Sequence, residues 1–135
     1  MSRLTIFLGR LLGLFFLLMV VAMILNRPAM VETAAAFMHD PPALLIFGMI
    51  ALAAGLAIVL SHNRWSGGAL TVIVTLLGWI FLIRGLLLLC LPREALLRIF
   101  ESLEYSRHYP FFAIIPLALG LYLTIKSFSA SMPKE

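Results

Sequence analysis

The sequence predicts an all-α integral membrane protein with four transmembrane helices, built as two tandem repeats of helix, interfacial helix and helix. Three observations predict this class. Hydrophobic residues make up 63% of the chain and charged residues 12%, whereas soluble domains are about 45–50% apolar and about 25% charged. Four stretches are long and apolar enough to cross a bilayer. A shift of 65 residues aligns the two halves of the chain.

The first two spans are predicted over residues 4–25 and 43–60. Arg3 precedes the first span, as in a signal peptide, but no small-residue cleavage pattern follows, so we expect the span to be retained. The segment between the spans, residues 28–39, is too short to cross the membrane and opens at Pro28. It predicts a short helix lying at the membrane interface.

The third and fourth spans are predicted over residues 69–91 and 111–128, in one membrane domain with the first two. The third span would be about 35 Å long, against about 30 Å of hydrocarbon. A short polar turn, residues 61–68, makes the second and third spans antiparallel neighbours. Residues 93–105 follow Pro92 and carry apolar residues on one face and charged residues on the other, which predicts a second interfacial helix.

The two halves share glycines and a proline at equivalent places. The 65-residue shift superposes two glycine pairs, and a shift shorter by one residue superposes a proline pair: Gly13 with Gly78, Gly55 with Gly120, and Pro28 with Pro92. Each copy contains two spans, so both copies enter the membrane from the same side. The expected symmetry is a pseudo-two-fold axis along the membrane normal.

Small residues recur on single faces of the predicted spans. In an apolar helix a G-x-x-x-G pattern such as that of Gly9 and Gly13 lets a neighbouring backbone approach closely. We therefore predict that the helices pack through glycine faces, made by Gly9, Gly13, Gly48, Gly55, Gly78, Gly85 and Gly120.

The charge distribution predicts the orientation in the membrane. The end with both termini and the polar turn carries Arg3, Arg10, Arg64, Lys126 and Lys134, whereas the other end mixes Arg27, Arg93, Arg98 and Arg107 with acidic residues. Basic residues favour the cytoplasmic side. We expect a multi-pass protein of the cell inner membrane with both termini inside.

Several functional classes lack support in the sequence. The net charge of +4 sits near predicted helix ends, which indicates anchoring at the membrane surface rather than nucleic-acid binding. The single cysteine, Cys90, cannot form an intrachain disulfide. Neither His39 nor His108 has a second ligand at metal spacing, so we expect no metal and no other cofactor. No catalytic motif occurs.

Two groups of polar residues are candidates for contact with a ligand or lipid. Arg84 is the one ionisable residue well inside a predicted span. It either reaches the outer headgroups or a backbone carbonyl freed near Pro116, or contacts an anion, a lipid phosphate or a partner's carboxylate. His62, Asn63 and Trp65 lie in the polar turn, where they either cap the second span and join an aromatic belt or form a ligand site.

Short motifs carry a family resemblance over the whole chain. With its SHNRW turn, its LLGW and IRG elements and the LP that closes the third span, the chain resembles small uncharacterised bacterial four-span inner-membrane proteins. Its organisation also resembles that of DoxX-type four-span proteins, but Met19 and Asn26 replace their first-span Gly and Lys pattern. The resemblance carries over no functional residue.

These features favour a non-enzymatic membrane protein, an accessory or assembly subunit whose partners are the lipid bilayer and either further copies of itself or a larger membrane complex. One alternative is a small transporter or a lipid- or anion-binding carrier that uses Arg84. Another is a quinone- or lipid-modifying enzyme. A transporter predicts a polar cavity at mid-depth, whereas a subunit predicts a dry seam and an exposed small-residue face. The sequence identifies neither substrate nor partner.

Overall fold

The computed structural model describes residues 2–130, which form six helices and no strand. The helices are α1 (Arg3–Leu25), α2 (Arg27–Met38), α3 (Pro41–Ser61), α4 (Ala69–Cys90), α5 (Arg93–Ser102) and α6 (Tyr109–Ser129). The prediction of an all-α fold is confirmed.

Four of these helices, α1, α3, α4 and α6, are long and apolar enough to cross a membrane. Large apolar side chains cover their outer surfaces, and Leu25 and Leu60 are 77% and 82% exposed. Water-soluble proteins rarely expose apolar patches of such extent. The chain therefore has the surface of a multi-pass membrane protein.

Two prolines open α3, which begins two residues before the predicted span. Pro41 and Pro42 occupy its first turn, and the Asp40 carboxylate accepts a hydrogen bond from the Ala43 N–H (3.5 Å). Prolines fit a first helical turn because its N–H groups have no partner within the helix. Pro41 and Pro42 thus belong to the second span.

The second interfacial helix, α5, is shorter than predicted. It ends at Ser102, and Glu104 then adopts a left-handed backbone with φ of 42°. Such a conformation interrupts a right-handed helix, so the chain turns here towards α6.

The long helices pack as two pairs, α1 with α6 and α3 with α4. In the first pair, a Cβ added at Gly13 would lie 2.8 Å from the backbone nitrogen of Thr124. In the second pair, a Cβ at Gly55 would lie 2.6 Å from the Cα of Leu82. Only glycine allows such close backbone approach. All seven glycines predicted to pack helices are buried: Gly9, Gly13, Gly48, Gly55, Gly78, Gly85 and Gly120.

The two pairs meet around one apolar core. Val74 of α4 and Leu123 of α6 are both 0% exposed. The buried core residues come from all four long helices and are Leu8, Leu12, Ile58, Leu70, Val74, Leu77 and Leu123. They lie towards the N-terminal halves of α1 and α4, so the pairs are held together mainly in that half of the bundle.

The two short helices, α2 and α5, lie beside each other at one end of the bundle. The Arg93 guanidinium at the start of α5 donates a 3.0 Å hydrogen bond to the His39 carbonyl at the end of α2. The Arg27 guanidinium lies over the Tyr109 ring, 5.4 Å from its centroid. We call this the interfacial end. The opposite end, with Ser2 and residues 62–68, is the turn end.

Candidate functional site

Arg84 is a charged side chain inside a span, and its contacts within the chain offset only part of the free-energy cost of placing its charge in the membrane. It lies six residues before the end of α4, about 9 Å of helix from the interfacial end. Its guanidinium Cζ is 5.5 Å from the ring centroid of Phe47 in α3. A cation over an aromatic face gains about 0.5–1 kcal/mol at an exposed site. Insertion scales assign roughly 2.5 kcal/mol or more to an arginine at mid-bilayer, so Phe47 offsets only part of the cost.

Within the described residues, Arg84 has no carboxylate partner and donates no hydrogen bond. One ion pair joins Glu104 and Arg107 at 3.2 Å. All carboxylates of residues 2–130 lie in or beside α2 and α5: Glu32, Asp40, Glu94, Glu101 and Glu104. The N–H donors of Arg84 are therefore open to an acceptor from outside the described chain.

Arg10, in α1, is a second arginine inside a span and is compensated differently. It lies seven residues after the start of α1, at a depth similar to that of Arg84 but from the turn end. Its Nε donates a 3.3 Å hydrogen bond to the Ser127 carbonyl, and its guanidinium lies 4.6 Å from the Phe128 ring centroid. Arg10 thus lies about as far from its helix end as Arg84 does, but it has a backbone acceptor.

Tyr105 lies in an aromatic cluster at the interfacial end. Its ring centroid is 5.1 Å from that of Phe112 and 5.7 Å from that of Phe100. Burial raises the pKa of the Tyr105 hydroxyl, as does Tyr109, while the positive charge of Arg84 acts in the opposite direction. The hydroxyl stays protonated at neutral pH, a neutral donor within electrostatic range of Arg84.

The three candidate residues of the polar turn separate into two groups. The Trp65 indole N–H donates a 2.9 Å hydrogen bond to the Asn63 side-chain oxygen, and the Trp65 side chain is exposed. His62 instead turns inward and is 1% exposed. The turn therefore does not bring the imidazole, the amide and the indole into one ligand site. Trp65 is exposed as an interfacial tryptophan would be.

Thr75 of α4 organises this turn, a role beyond the small-residue face of the third span on which its sequence position places it. It is 0% exposed, and its hydroxyl accepts a 3.2 Å hydrogen bond from the Arg64 N–H. Its single proton is within reach of three carbonyls, those of His62 (3.0 Å), Arg64 (2.9 Å) and Thr71 (3.0 Å). A hydroxyl one turn and a half into α4 thus satisfies the backbone of the loop that precedes the helix.

The buried imidazole of His62 is a titratable group without full hydrogen bonding. Its Nε2 is buried and has no partner in the described part of the chain. Burial lowers the pKa of His62, the backbone of Thr71 raises it, and the charge of Arg64 lowers it, with a net decrease. His62 is therefore neutral at pH 7. In the neutral form, the buried Nε2 without a hydrogen-bond partner costs less free energy than it would in the charged form.

Clefts open at both ends of the bundle. One of about 420 Å³ lies between α2 and α5 and includes Val31, Phe100 and Glu101 in its lining. A smaller cleft of about 200 Å³ at the turn end is lined by Ser2, Thr5, Arg64, Ser66, Gly67 and Thr71. Arg84 lines neither. Across residues 2–130, no three His, Cys, Asp or Glu side chains come close enough to hold a metal ion.

Comparison of the chain with protein-family models, with curated proteins and with solved structures gives no match. The resemblance to small four-span inner-membrane proteins stays an expectation from sequence motifs. The arguments for function therefore rest on the geometry of the chain itself.

Proposed function

We propose that the protein is a non-enzymatic integral membrane protein that serves as an accessory or assembly subunit. In this role it docks a second membrane helix on the outer face of α3. One observation carries the proposal: Ala53, Ala57 and Ser61 form a small-residue stripe on α3, and all three are exposed. Small residues spaced by four let membrane helices approach closely, and association in lipid depends on such packing.

The stripe points away from the rest of the bundle. Ala51 and Gly55 are buried within the bundle, and Ala53 and Ala57 follow them by two residues, about 200° around the helix. The Ser61 hydroxyl donates to the Ala57 carbonyl, so its proton is already used within α3. The stripe is a shallow apolar surface suited to a second helix.

The seven packing glycines support the same proposal because helices of the chain itself already pack against them. Each of the seven is buried inside the chain, where it holds α1 against α6 or α3 against α4. A close contact with another protein therefore needs a different small-residue face. The α3 stripe supplies one, whereas bulky exposed residues such as Ile80 and Leu18 cover much of the remaining surface.

The test is to enlarge the stripe and follow the complex that the protein forms in native membrane. Ala53→Leu and Ala57→Leu add bulk where the second helix would pack, and Val21→Leu adds bulk at an exposed position of α1 as the matched control. We expect native electrophoresis in mild detergent to show a complex for wild type and the control that both alanine variants lose. Differently tagged copies distinguish a homo-oligomer from a complex with another protein. A monomeric wild type, or a complex that survives both alanine variants, would refute the proposal.

We also propose that this scaffold consists of two tandem repeats related by a pseudo-two-fold axis along the membrane normal. The close glycine contacts support it, because a shift of 65 residues converts those of one helix pair into those of the other. Gly13 faces Leu123 and Thr124, while Gly78 faces Ile58 and Val59. In the same way, Gly55 faces Phe81 and Leu82, while Gly120 faces Phe16 and Leu17.

A pair of hydrogen bonds supports the repeat independently of the glycines. Arg10 donates to the Ser127 carbonyl, and the His62 carbonyl is one of the three acceptors within reach of the Thr75 proton. Arg10 and Thr75 are 65 positions apart, and so are His62 and Ser127. Two unlike side chains thus bind the same place in each copy. In a structure determined in lipid, residues 11–60 should superpose on 76–125 by a two-fold rotation, and a different order or hand of packing would contradict the repeat.

The proposed location is the cell inner membrane, with both termini inside. Arg3, Arg10, Arg64 and Lys126 lie towards the turn end, whereas the interfacial end mixes Arg27, Arg93, Arg98 and Arg107 with all carboxylates of residues 2–130. Lys134 lies outside the described residues. Basic residues near span ends favour the cytoplasmic side. The turn end is therefore the cytoplasmic one in this proposal.

A further inference from the structure

We propose that Arg84 binds the phosphate of a phospholipid headgroup from the leaflet at the interfacial end. The site consists of the Arg84 guanidinium, held over the Phe47 ring. An arginine guanidinium presents two parallel N–H groups that match two oxygens of a phosphate. Phosphate binding goes beyond the assembly role, because it involves a different surface and a different occupant.

The contrast with Arg10 identifies what Arg84 lacks. Both guanidinium groups lie against an aromatic ring, that of Phe128 or that of Phe47. Arg10 also has a backbone carbonyl as acceptor, whereas Arg84 has no acceptor among residues 2–130. A charged donor in an apolar environment requires one. The acceptor of Arg84 therefore comes from outside the described chain.

The surface around Arg84 favours a lipid over a partner helix. Ile80, Ile83 and Leu87 surround it on α4 and are 56%, 51% and 45% exposed. Bulky side chains of this kind keep a second backbone at a distance but pack well against acyl chains. The α3 stripe has the opposite character. An occupant with both acyl chains and a phosphate fits the apolar surface and the charge together.

The depth of the site suits a headgroup. Arg84 precedes the end of α4 by six residues, and Phe47 follows the start of α3 by six, so both lie about 9 Å inside the interfacial end. A flexible arginine at this depth reaches towards the membrane surface, and a phosphate can move inward to meet it. Free phosphate would have to leave water to reach the same point, so the lipid-borne phosphate is favoured.

The test uses the full chain, purified in detergent and stripped of lipid. It compares three additions: phosphatidylglycerol, diacylglycerol with the same acyl chains, and inorganic phosphate. Native mass spectrometry counts bound lipid, and thermal unfolding reports stabilisation. The variants are Arg84→Met, which removes the charge, and Arg84→Lys, which keeps the charge but lacks the paired donors. Arg98→Gln, at an exposed position of α5, removes a charge from the same end and is the matched control.

We expect wild type and Arg98→Gln to retain phosphatidylglycerol but not diacylglycerol, and to be stabilised by it. Arg84→Met should retain at least about tenfold less, since a charged, paired hydrogen bond is lost, and Arg84→Lys should be intermediate. Without lipid, the thermal unfolding midpoints of wild type and Arg84→Met should be similar. A similar midpoint would show that the variant folds.

Four results would overturn the proposal. Equal retention by wild type and Arg84→Met would exclude a role for the guanidinium, and equal retention of diacylglycerol would exclude a role for the phosphate. Stabilisation by inorganic phosphate as large as that by phosphatidylglycerol would identify a free anion as the ligand. Loss of a co-purifying protein, but not of lipid, in Arg84→Met would identify a partner's carboxylate.

Discussion

The Tyr109 hydroxyl at the start of α6 donates a 2.7 Å hydrogen bond to the Met23 carbonyl in the last turn of α1. The last carbonyls of a helix have no partner within it, and both residues are buried, with Tyr109 4% and Met23 4% exposed. One phenol therefore caps α1 and ties it to α6 at the interfacial end.

Replacing Tyr109 by phenylalanine should destabilise the protein. Tyr109→Phe keeps the ring but leaves a buried carbonyl unsatisfied, which costs about 1–3 kcal/mol. Thermal or denaturant unfolding in detergent measures the loss. Tyr122→Phe, in the same helix, is the control, because the Tyr122 hydroxyl binds no described residue. Equal stability of the two variants would show that the 2.7 Å contact contributes nothing.

The two α3 glycines that face α4 should differ in their tolerance of alanine. A Cβ at Gly55 would lie 2.6 Å from the Leu82 Cα, which is backbone and cannot move alone. A Cβ at Gly48 would lie 3.0 Å from the end of the Leu89 side chain, which can rotate away. Gly55→Ala should therefore cost several kcal/mol, in the range of strongly destabilising core changes, and Gly48→Ala clearly less. Unfolding midpoints of both variants test this order, and the reverse order would contradict the close α3–α4 approach.

The helices were predictable from sequence because long apolar runs and glycine spacing are local signals. α3 begins two residues before the predicted start of the second span, because Pro41 and Pro42, which can stop a preceding helix, also begin this one. A proline after an N-cap residue such as Asp40 is consistent with both roles. Only the N-cap hydrogen bond to the Ala43 N–H distinguishes them.

The polar contacts were less predictable because they depend on which helices become neighbours. Nothing local in the sequence indicates that the Thr75 hydroxyl meets the loop at His62 and Arg64. The alignment of the halves did hold a usable signal, since it pairs Thr75 with Arg10. A hydroxyl and a guanidinium at matched positions suggest a shared acceptor, which the two carbonyl contacts supply.

Acidification should destabilise the protein through His62. Burial lowers the folded-state pKa of His62 below its ordinary value of 6.5, so the unfolded chain binds more protons between these two values. The stability that His62 contributes is complete above about pH 6.5 and is lost as the pH falls towards the folded-state pKa. The nearby charge of Arg64 acts in the same direction as burial.

The measurement is the unfolding midpoint of wild type, His62→Gln and His39→Gln as a function of pH. His39 is exposed and serves as the matched control. We expect the unfolding midpoints of wild type and His39→Gln to decrease as the pH is lowered below 6.5. The midpoint of His62→Gln should decrease less. An identical pH dependence in all three proteins would show that His62 does not titrate between the folded and unfolded states.

The orientation of the bundle is tested by labelling single cysteines from each side of the membrane. The exposed native cysteine, Cys90, is first replaced by alanine. Ser2 and Ser66 lie at the turn end and Ser102 at the interfacial end, so cysteines at 2 and 66 should react from the same side and one at 102 from the other. The basic residues near Ser2 and Ser66 predict that their side is the cytoplasm, because such residues resist translocation.

Labelling of 2 and 66 from opposite sides would refute the four-span arrangement, since two spans separate these positions. Labelling of 102 from the cytoplasm alone would keep the spans but reverse the bundle, and the lipid at Arg84 would then belong to the cytoplasmic leaflet.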